Sequence, residues 1–426
     1  MDLGEPMTNR RLFSLWLGLL SAALLGGCEE EVCGVGGDFT SPPADHDDDD
    51  DDDDPDNDWL FSLERINRIE ITLSDEAVRT LSKERTIHED RFEVPGELTL
   101  DGVDVGTVGV RLRGRLGSFQ HFEDKPKFNL DLNEYSDQRP FGLERLALSS
   151  GGIDPSKLKE VLGAQLMALA DVPASRAGFA QLFINGEDYG LYITIEAQDD
   201  RWMRRVFDTD EGNLYEGSYS YAVWWPRFND FGEGRDERFE LQEGYDVGHA
   251  DIAAVSNATL DSFEAGRVTE SLAELVDWPG LQRQLAADQW LGNLDGYGFV
   301  VNNYRVWFPP DGGPMRLASW DLDGTLLPDA LNGETLEEPR GNLAAICRLD
   351  PDCERDWADT ARSVADAVDA STLAETMAQA ALFTEEAAYA DPRACDAEAI
   401  TTGRAEVTAW IESASETLRE AWKGVE

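Results

Sequence analysis

Between Asp45 and Asp58 the chain carries eleven aspartates, eight of them consecutive from Asp47 to Asp54, and no lysine or arginine. Such a block repels itself and has nothing apolar to bury, so it stays extended and bounds whatever folds. Folding is therefore expected from residue 59 onward. Residues 59–426 can bury a large core, in one domain or two packed lobes. The run lacks the turn glycine of a calcium loop and reads as part of a solvated tether over 29–58. Setting its eleven charges aside takes the formal net charge from −50 to −39, so the folded part is itself acidic. A surface of that sign disfavours nucleic acid. It suits a basic or cation-bridged partner, or a salty medium.

Upstream, Arg10 and Arg11 precede an apolar stretch, Leu12 to Leu25, that closes in Leu25-Gly26-Gly27-Cys28. A basic region, a short apolar segment and small residues describe a secretory signal. The stretch falls short of the ~20 residues of a spanning helix. Cysteine after Leu-Gly-Gly resembles a bacterial lipobox, so 1–28 is expected to be a lipoprotein signal, with Cys28 lipidated and the exported chain held at a membrane. Met7, closer to the arginine pair, is a candidate start. That leaves Cys33, Cys347, Cys353 and Cys395, an even number for an oxidising compartment. Cys347 and Cys353 flank a turn-like Arg348-Leu349-Asp350-Pro351-Asp352 and are expected to pair; a Cys33–Cys395 bond stays open. No C-x-x-C occurs and the four histidines are scattered, which disfavours zinc.

The first part of 59–426 is strand-rich. Ile66 to Leu73 predicts a strand leading into a helix at Ser74-Asp75-Glu76, and Phe92 to Arg113 alternates through glycines 96, 102 and 106 as hairpins do. Lys127 to Leu132 alternates as a strand. Asp154-Pro155-Ser156 predicts the start of a helix whose apolar face is Leu158, Val161, Leu162, Leu166 and Leu169, with Glu160 outside that stripe. Phe179 to Ile195 reads as a hairpin about Asn185-Gly186. Beyond Ala197, Trp-rich loops at 219–235 precede helices at about 268–292, 356–383 and 398–422. The pattern is α+β; strands with one helix, then mostly helices, is the order of a two-lobed kinase-like fold.

Two stretches concentrate the chemistry. Asp295 sits in the glycine-flanked turn Leu294-Asp295-Gly296-Tyr297, before a strand-like run, Val300 to Phe308, that contains Asn302 and Asn303. A second apolar run, Met315 to Trp320, ends in Asp321-Leu322-Asp323-Gly324-Thr325. Carboxylate, amide, strand, carboxylate suits a divalent cation and a triphosphate beside a general base. The same D-x-D-G-T also spells the nucleophile motif of haloacid-dehalogenase-type phosphatases. Such an enzyme needs a downstream lysine and an acidic pair in an α/β setting. Here the sole lysine after Thr325 is Lys423, and the region reads as helices. A kinase-like site needs a strand lysine, a helix glutamate, a base, an amide and a metal aspartate in that order. Lys127, Glu160, Asp295, Asn302 or Asn303, and Asp321 supply them.

With these in place, the chain resembles the spore-coat protein H (CotH) family of secreted atypical protein kinases. Val110-Arg111-Leu112-Arg113-Gly114-Arg115-Leu116-Gly117-Ser118-Phe119 is similar to that family's R-x-R-G-N-S-S-W loop, with Arg115-Leu116 as a departure. Lys125-Pro126-Lys127-Phe128-Asn129-Leu130 resembles its K-K-P-F-K-L strand, and Leu158-Lys159-Glu160-Val161-Leu162 its L-R-E-x-L helix. Phe183 to Tyr192 resembles its V-N-G-x-Y-x-G-L-Y hairpin; Gly212-Asn213-Leu214-Tyr215 also fits. Asn293-Leu294-Asp295 and Trp320-Asp321-Leu322-Asp323 are similar to its N-x-D and W-D-x-D signatures. The resemblance implies a strand-rich N-lobe over about 59–197, a helical C-lobe over about 198–426, and ATP-dependent transfer, with Mg²⁺ or Mn²⁺, to Ser or Thr of an extracytoplasmic protein. It implies Asp295 as base and Asp321 as metal ligand, joined by Asn302 or Asn303. Asp323 shares the metal or orients the loop. Arg113 and its glycines would cover the phosphates, and Lys127 (or Lys125) would pair with phosphate and Glu160. Glu196 would sit where a segment between lobes meets adenine. The altered loop leaves a non-catalytic, nucleotide-binding scaffold as the alternative.

Overall fold

The computed structural model describes residues 57–85, 91–114, 118–217 and the remainder to 425 apart from 218–219, 223–224, 228–229, 233, 235–237, 247, 266–268, 328–338 and 395. The signal segment, nearly all of the tether, Cys28, Cys33, Cys395, Arg115-Leu116-Gly117, Trp224 and the side chain of Trp225 lie outside the described residues. Asn57 and Asp58, assigned to the tether by sequence, are instead docked: the Asn57 amide donates to Phe141 O at 3.1 Å, and Arg176 pairs with Asp58.

Seven strands form a closed barrel. They are β1 (Ile66–Leu73), β2 (Glu93–Leu100), β3 (Val103–Arg113), β4 (Lys127–Asp131), β5 (Arg145–Ser149), β6 (Ala177–Ile184) and β7 (Glu187–Glu196). Their order is β1-β2-β3-β4-β5-β7-β6, antiparallel throughout except where β6 closes in parallel on β1. The alternation predicted for β1 is realised: every second residue, from Asn67 to Leu73, is buried. α1 (Asp75–Leu81) follows with Ser74 as N-cap, its side chain accepting from Ala77 N. Gly96 is no turn. It lies within β2, where a Cβ would meet Leu73 and Val110 at 2.9 Å. Phe128, Leu130, Leu146, Leu148, Leu182 and Tyr192 fill the barrel interior. Ile193 and Ile195 of β7 face the other way, into a second core with Val161 and Leu162, so β7 is buried on both faces. That second core runs on through the later helices.

The helix forecast from Asp154 begins five residues later, as α2 (Lys159–Leu169). Lys157 has φ +61°, outside the helical region, and breaks the first turn. Leu158, not Asp154, holds the N-cap position; Asp154 instead ties down the entry to the helix, its carboxylate accepting from Ser156 N at 3.0 Å and Lys159 N at 2.9 Å.

Beyond residue 197 the structure is less purely helical than the sequence suggests. After α3 (Asp200–Phe207) come β8 (Asn213–Gly217), the short pair β9 (Ser220–Ala222) and β10 (Trp225–Arg227), β11 (Phe239–Glu243), α4 (Ala250–Ala265) and α5 (Trp278–Leu291). β12 (Tyr304–Phe308) and β13 (Arg316–Ser319) complete a four-stranded sheet ordered β11-β8-β12-β13. Strands of four or five residues hardly register as periodicity. The expected strand from Val300 starts instead at Tyr304, because Val301 and Asn303 have φ of +62° and +46°. The chain ends in α6 (Asn342–Leu349), α7 (Pro351–Ala370), α8 (Leu373–Phe383), α9 (Glu385–Tyr389) and α10 (Ala397–Ala421). Cys347 and Cys353 are bonded across the α6–α7 corner, as expected. Among the described residues no helix is long and apolar enough to cross a membrane.

Candidate functional site

The β12–β13 hairpin collects the polar groups. Its register pairs Tyr304 with Ser319, so the residues just before β12 and just after β13 emerge at one end. There Asn303 O accepts from Trp320 N at 3.2 Å. Asp321 turns with φ +52°, and Leu322–Gly324 form a single 3-10 turn that carries Asp323. Three non-glycine residues at this end (Val301, Asn303 and Asp321) thus have left-handed backbone. For a β-branched valine this is a true outlier, of the kind that persists where the surroundings over-determine the chain.

Asp295 reaches the same end from the turn after α5. Its Oδ2 accepts from the amides of Asn302 and Asn303, both at 3.1 Å. The Asn303 amide also donates to Asp321 O at 3.1 Å, so one side chain ties the two aspartate stretches together. Burial pushes the Asp295 carboxyl up to about 6. The Asn302 and Asn303 amides oppose that rise, and Asp321 and Asp323 add to it.

The barrel contributes a cation. In the β3–β4 register Arg113 lies opposite Lys127. The Lys127 ammonium, 2% exposed, donates to Asp323 Oδ2 at 2.5 Å and lies 3.5 Å from Asp321 Oδ1. Burial acts to lower its pKa, but the two aspartates outweigh that and hold it above the usual value. Arg113 stands 3.9 Å from Asp321 Oδ1. The two lysines have different partners: Lys125 donates to Asp391 and to Tyr189 O, away from these aspartates.

Glu160, on the first turn of α2, completes an acidic triad. One carboxylate oxygen from each of Glu160, Asp321 and Asp323 lies within 4.8 Å of the others. Although outside the apolar stripe, Glu160 is buried. Its Oε1 accepts from Leu322 N at 3.2 Å, and Oε2 has no hydrogen-bond partner. Lys127 therefore pairs with Asp323 here rather than with Glu160. Gly163, one turn on, admits the Leu322 side chain, which a Cβ would meet at 2.8 Å. Burial, with Asp323 and Asp321 beside it, pushes Glu160 up to about 8. Clustered oxygen ligands with a buried, unpartnered carboxylate oxygen fit a hard divalent cation.

Other residues were not visible as site residues in the sequence. Trp320 has two guanidinium groups near its ring, Arg113 at 5.0 Å and Arg305 at 4.5 Å from the ring centre. Asp288, fully buried on α5, accepts from the Asn293 amide at 2.8 Å and braces the turn bearing Asp295. Glu196 is not part of the cluster's hydrogen-bond network; its carboxylate is taken by Arg176 and Arg205.

A family profile described as CotH kinase protein matches residues 110–345, more than half of the chain and every residue of this cluster. The chain belongs to the CotH kinase family. Inner spore coat protein H of Bacillus subtilis is 21% identical over 214 residues, which are 48% of this chain and 56% of that protein. The chain thus spans about half the length of that curated relative. Among solved structures, the HipA–HipB–operator DNA complex of Shewanella oneidensis MR-1 gives a TM-score of 0.29 at 10% identity, over 65% of this chain and 60% of the other. The Helicobacter pylori proinflammatory kinase CtkA gives 0.27 at 10% identity, over 65% and 94%. In this CotH kinase-family chain the matched segment brings strand lysine, helix glutamate, turn aspartate and hairpin aspartates to one place.

The site has a signature in stability. Burial raises Asp288 to about 7, Asp295 to about 6 and Glu160 to about 8, and outside the site raises Asp199, the N-cap of α3, to about 7. A carboxyl raised on folding binds its proton more tightly in the native state. Its contribution is full below the unfolded value, near 4, and is lost as pH rises through the folded value. Metal-free protein is therefore expected to lose stability between pH 4.5 and 8, by at least about 2 kcal/mol in total. Denaturant melts in chelator across that window check this; stability rising with pH would contradict it. Lys125, lowered to about 8 by burial, acts in the opposite sense and only from the upper end of the window onward.

Proposed function

We propose that this chain is an exported, lipid-anchored protein kinase that transfers the γ-phosphoryl group of ATP to a serine or threonine hydroxyl of an extracytoplasmic protein. The observation that supports it most is the Asn303 amide shared between Asp295 Oδ2 and Asp321 O, which ties the Asp295 carboxylate to a carboxylate cluster suited to a divalent cation. Asp295 takes the proton of the acceptor hydroxyl. The acceptor oxygen forms its bond to the γ-phosphorus as the bond to the β-bridging oxygen breaks, and ADP leaves. Asp321 and Asp323, with Asn302 or Asn303, would hold Mg²⁺ or Mn²⁺, which when bound neutralises phosphate charge. Lys127 and Arg113 present positive charge to the phosphates, and Glu160 holds the Leu322 amide so that the metal-binding turn keeps its shape. The strand-rich barrel and the helical part would act as the two lobes. The acidic net charge suits an acceptor segment rich in lysine or arginine.

The test is incubation of the full chain with γ-labelled ATP, Mg²⁺ or Mn²⁺ and extracytoplasmic protein. Label should appear on Ser or Thr and fall by orders of magnitude in Asp321→Ala. No transfer by the wild type, or equal transfer by the variant, contradicts the proposal. Tight nucleotide binding without turnover would instead indicate a scaffold.

A further inference from the structure

The Tyr189-Gly190-Leu191-Tyr192 motif on β7 takes no part in the chemistry above, yet it receives a residue from far along the chain. Asp391, between α9 and α10, is fully buried. Its Oδ2 accepts from Lys125 Nζ at 2.5 Å and from Leu191 N at 3.0 Å. Its Oδ1 accepts from Arg393 N at 3.0 Å. Gly190, with φ +85°, leaves the space that the carboxylate fills: a Cβ there would lie 2.1 Å from Asp391 Oδ1. Lys125 also donates to Tyr189 O at 2.8 Å and lies 4.6 Å from the centre of the Tyr192 ring. The Tyr192 hydroxyl donates to Pro126 O at 2.9 Å. Arg393 donates to the carbonyls of Glu123 and Asp124 and stacks 3.6 Å over Tyr189.

The bonds of Lys125, Pro126 O and the Glu123 and Asp124 carbonyls hold the segment 123–126, which runs directly into Lys127. On its far side Lys127 is fixed by strand pairing with Arg113. On the near side, Lys125 and Pro126 are held by Asp391 and by β7. We infer that Asp391 is a positioning residue for Lys127: the Asp391–Arg393 segment clamps the strand entry against the Gly190 hollow and seats the Lys127 ammonium between Asp321 and Asp323. Asp391 lies beyond the family-matched residues 110–345, so the C-terminal helical segment belongs to the working site. The K-x-K and Y-G-L-Y motifs become two halves of one socket. The nucleotide arm of the test below rests on the kinase proposal; the labelling arm does not.

Two substitutions break the clamp from opposite sides: Asp391→Asn removes the charge facing Lys125, and Gly190→Ala intrudes where the carboxylate sits. Full-chain wild type and both variants are acylated briefly with an amine-directed reagent below their melting transitions. Labelling at each lysine is mapped by mass spectrometry and normalised to the exposed Lys423. Lys127 labelling is expected to rise about tenfold or more in both variants, while the hydrogen-exchange protection of α7, remote from Asp391, stays at its wild-type level. Titration with Mg·ATP should show an affinity at least about tenfold weaker in both. Lys127 protection and affinity unchanged while Lys125 becomes labelled would overturn the inference. So would Lys127 exposure accompanied by loss of exchange protection in α7, which reports a loosened fold and no specific seating. A wild type that binds no nucleotide counts against the kinase proposal, and the lysine pattern still decides the clamp.

Discussion

Asp295→Asn is expected to lower phosphoryl transfer by about 10²–10⁴-fold while leaving Mg·ATP affinity within about threefold of wild type. Asparagine keeps the shape of the side chain and one oxygen that can accept from Asn302 and Asn303, so the turn should hold. It loses the group that takes the proton from the acceptor hydroxyl. Because burial places the carboxyl at about 6, wild-type turnover should fall along an acid limb near that pH, where Asp295 becomes protonated. The variant's residual rate should lack that limb. Rate–pH profiles of the two proteins at saturating Mg·ATP make the comparison. Undiminished turnover in the variant would remove Asp295 from the chemistry.

Lys127→Met should cost stability as well as nucleotide affinity, and the stability effect should depend on metal. The ammonium is the counter-charge of a buried carboxylate, Asp323, with Asp321 and Glu160 beside it. Removing one partner of a buried pair leaves an uncompensated charge and costs about 3–5 kcal/mol. A divalent cation can supply part of the missing charge, so Mg²⁺ should raise the melting temperature of the variant more than that of the wild type. Denaturant and thermal melts with Mg²⁺ and with chelator measure both terms. A variant as stable as wild type, or one that Mg²⁺ helps no more than wild type, would contradict a cation site at these carboxylates.

The elements legible in the sequence were those built from local rules. The alternation of Ile66–Leu73, the Asn185-Gly186 turn between β6 and β7 and the Cys347–Cys353 spacing each depend on neighbours a few residues apart, and each is realised. Lys127, Glu160, Asp295, Asn302, Asn303, Asp321 and Asp323, singled out by residue type and order in the sequence, lie close together in the structure. Pairings across long separations were not legible. Lys127 finds Asp323 nearly 200 residues away, and Glu160 supports Leu322 N instead of binding the lysine. Asp288 and Asp391 read as ordinary polar residues because nothing local marks a carboxylate as buried. The left-handed turns at Val301 and Asn303 defeat a strand assignment, since neither residue type announces positive φ.

Calorimetric titration of Mg·ATP into the full chain, with and without chelator, tests the central claim most directly. The account predicts saturable 1:1 binding by the wild type that requires the divalent cation and is lost in Asp321→Asn. Absence of binding by folded wild type, or binding indifferent to both the cation and Asp321, would contradict it.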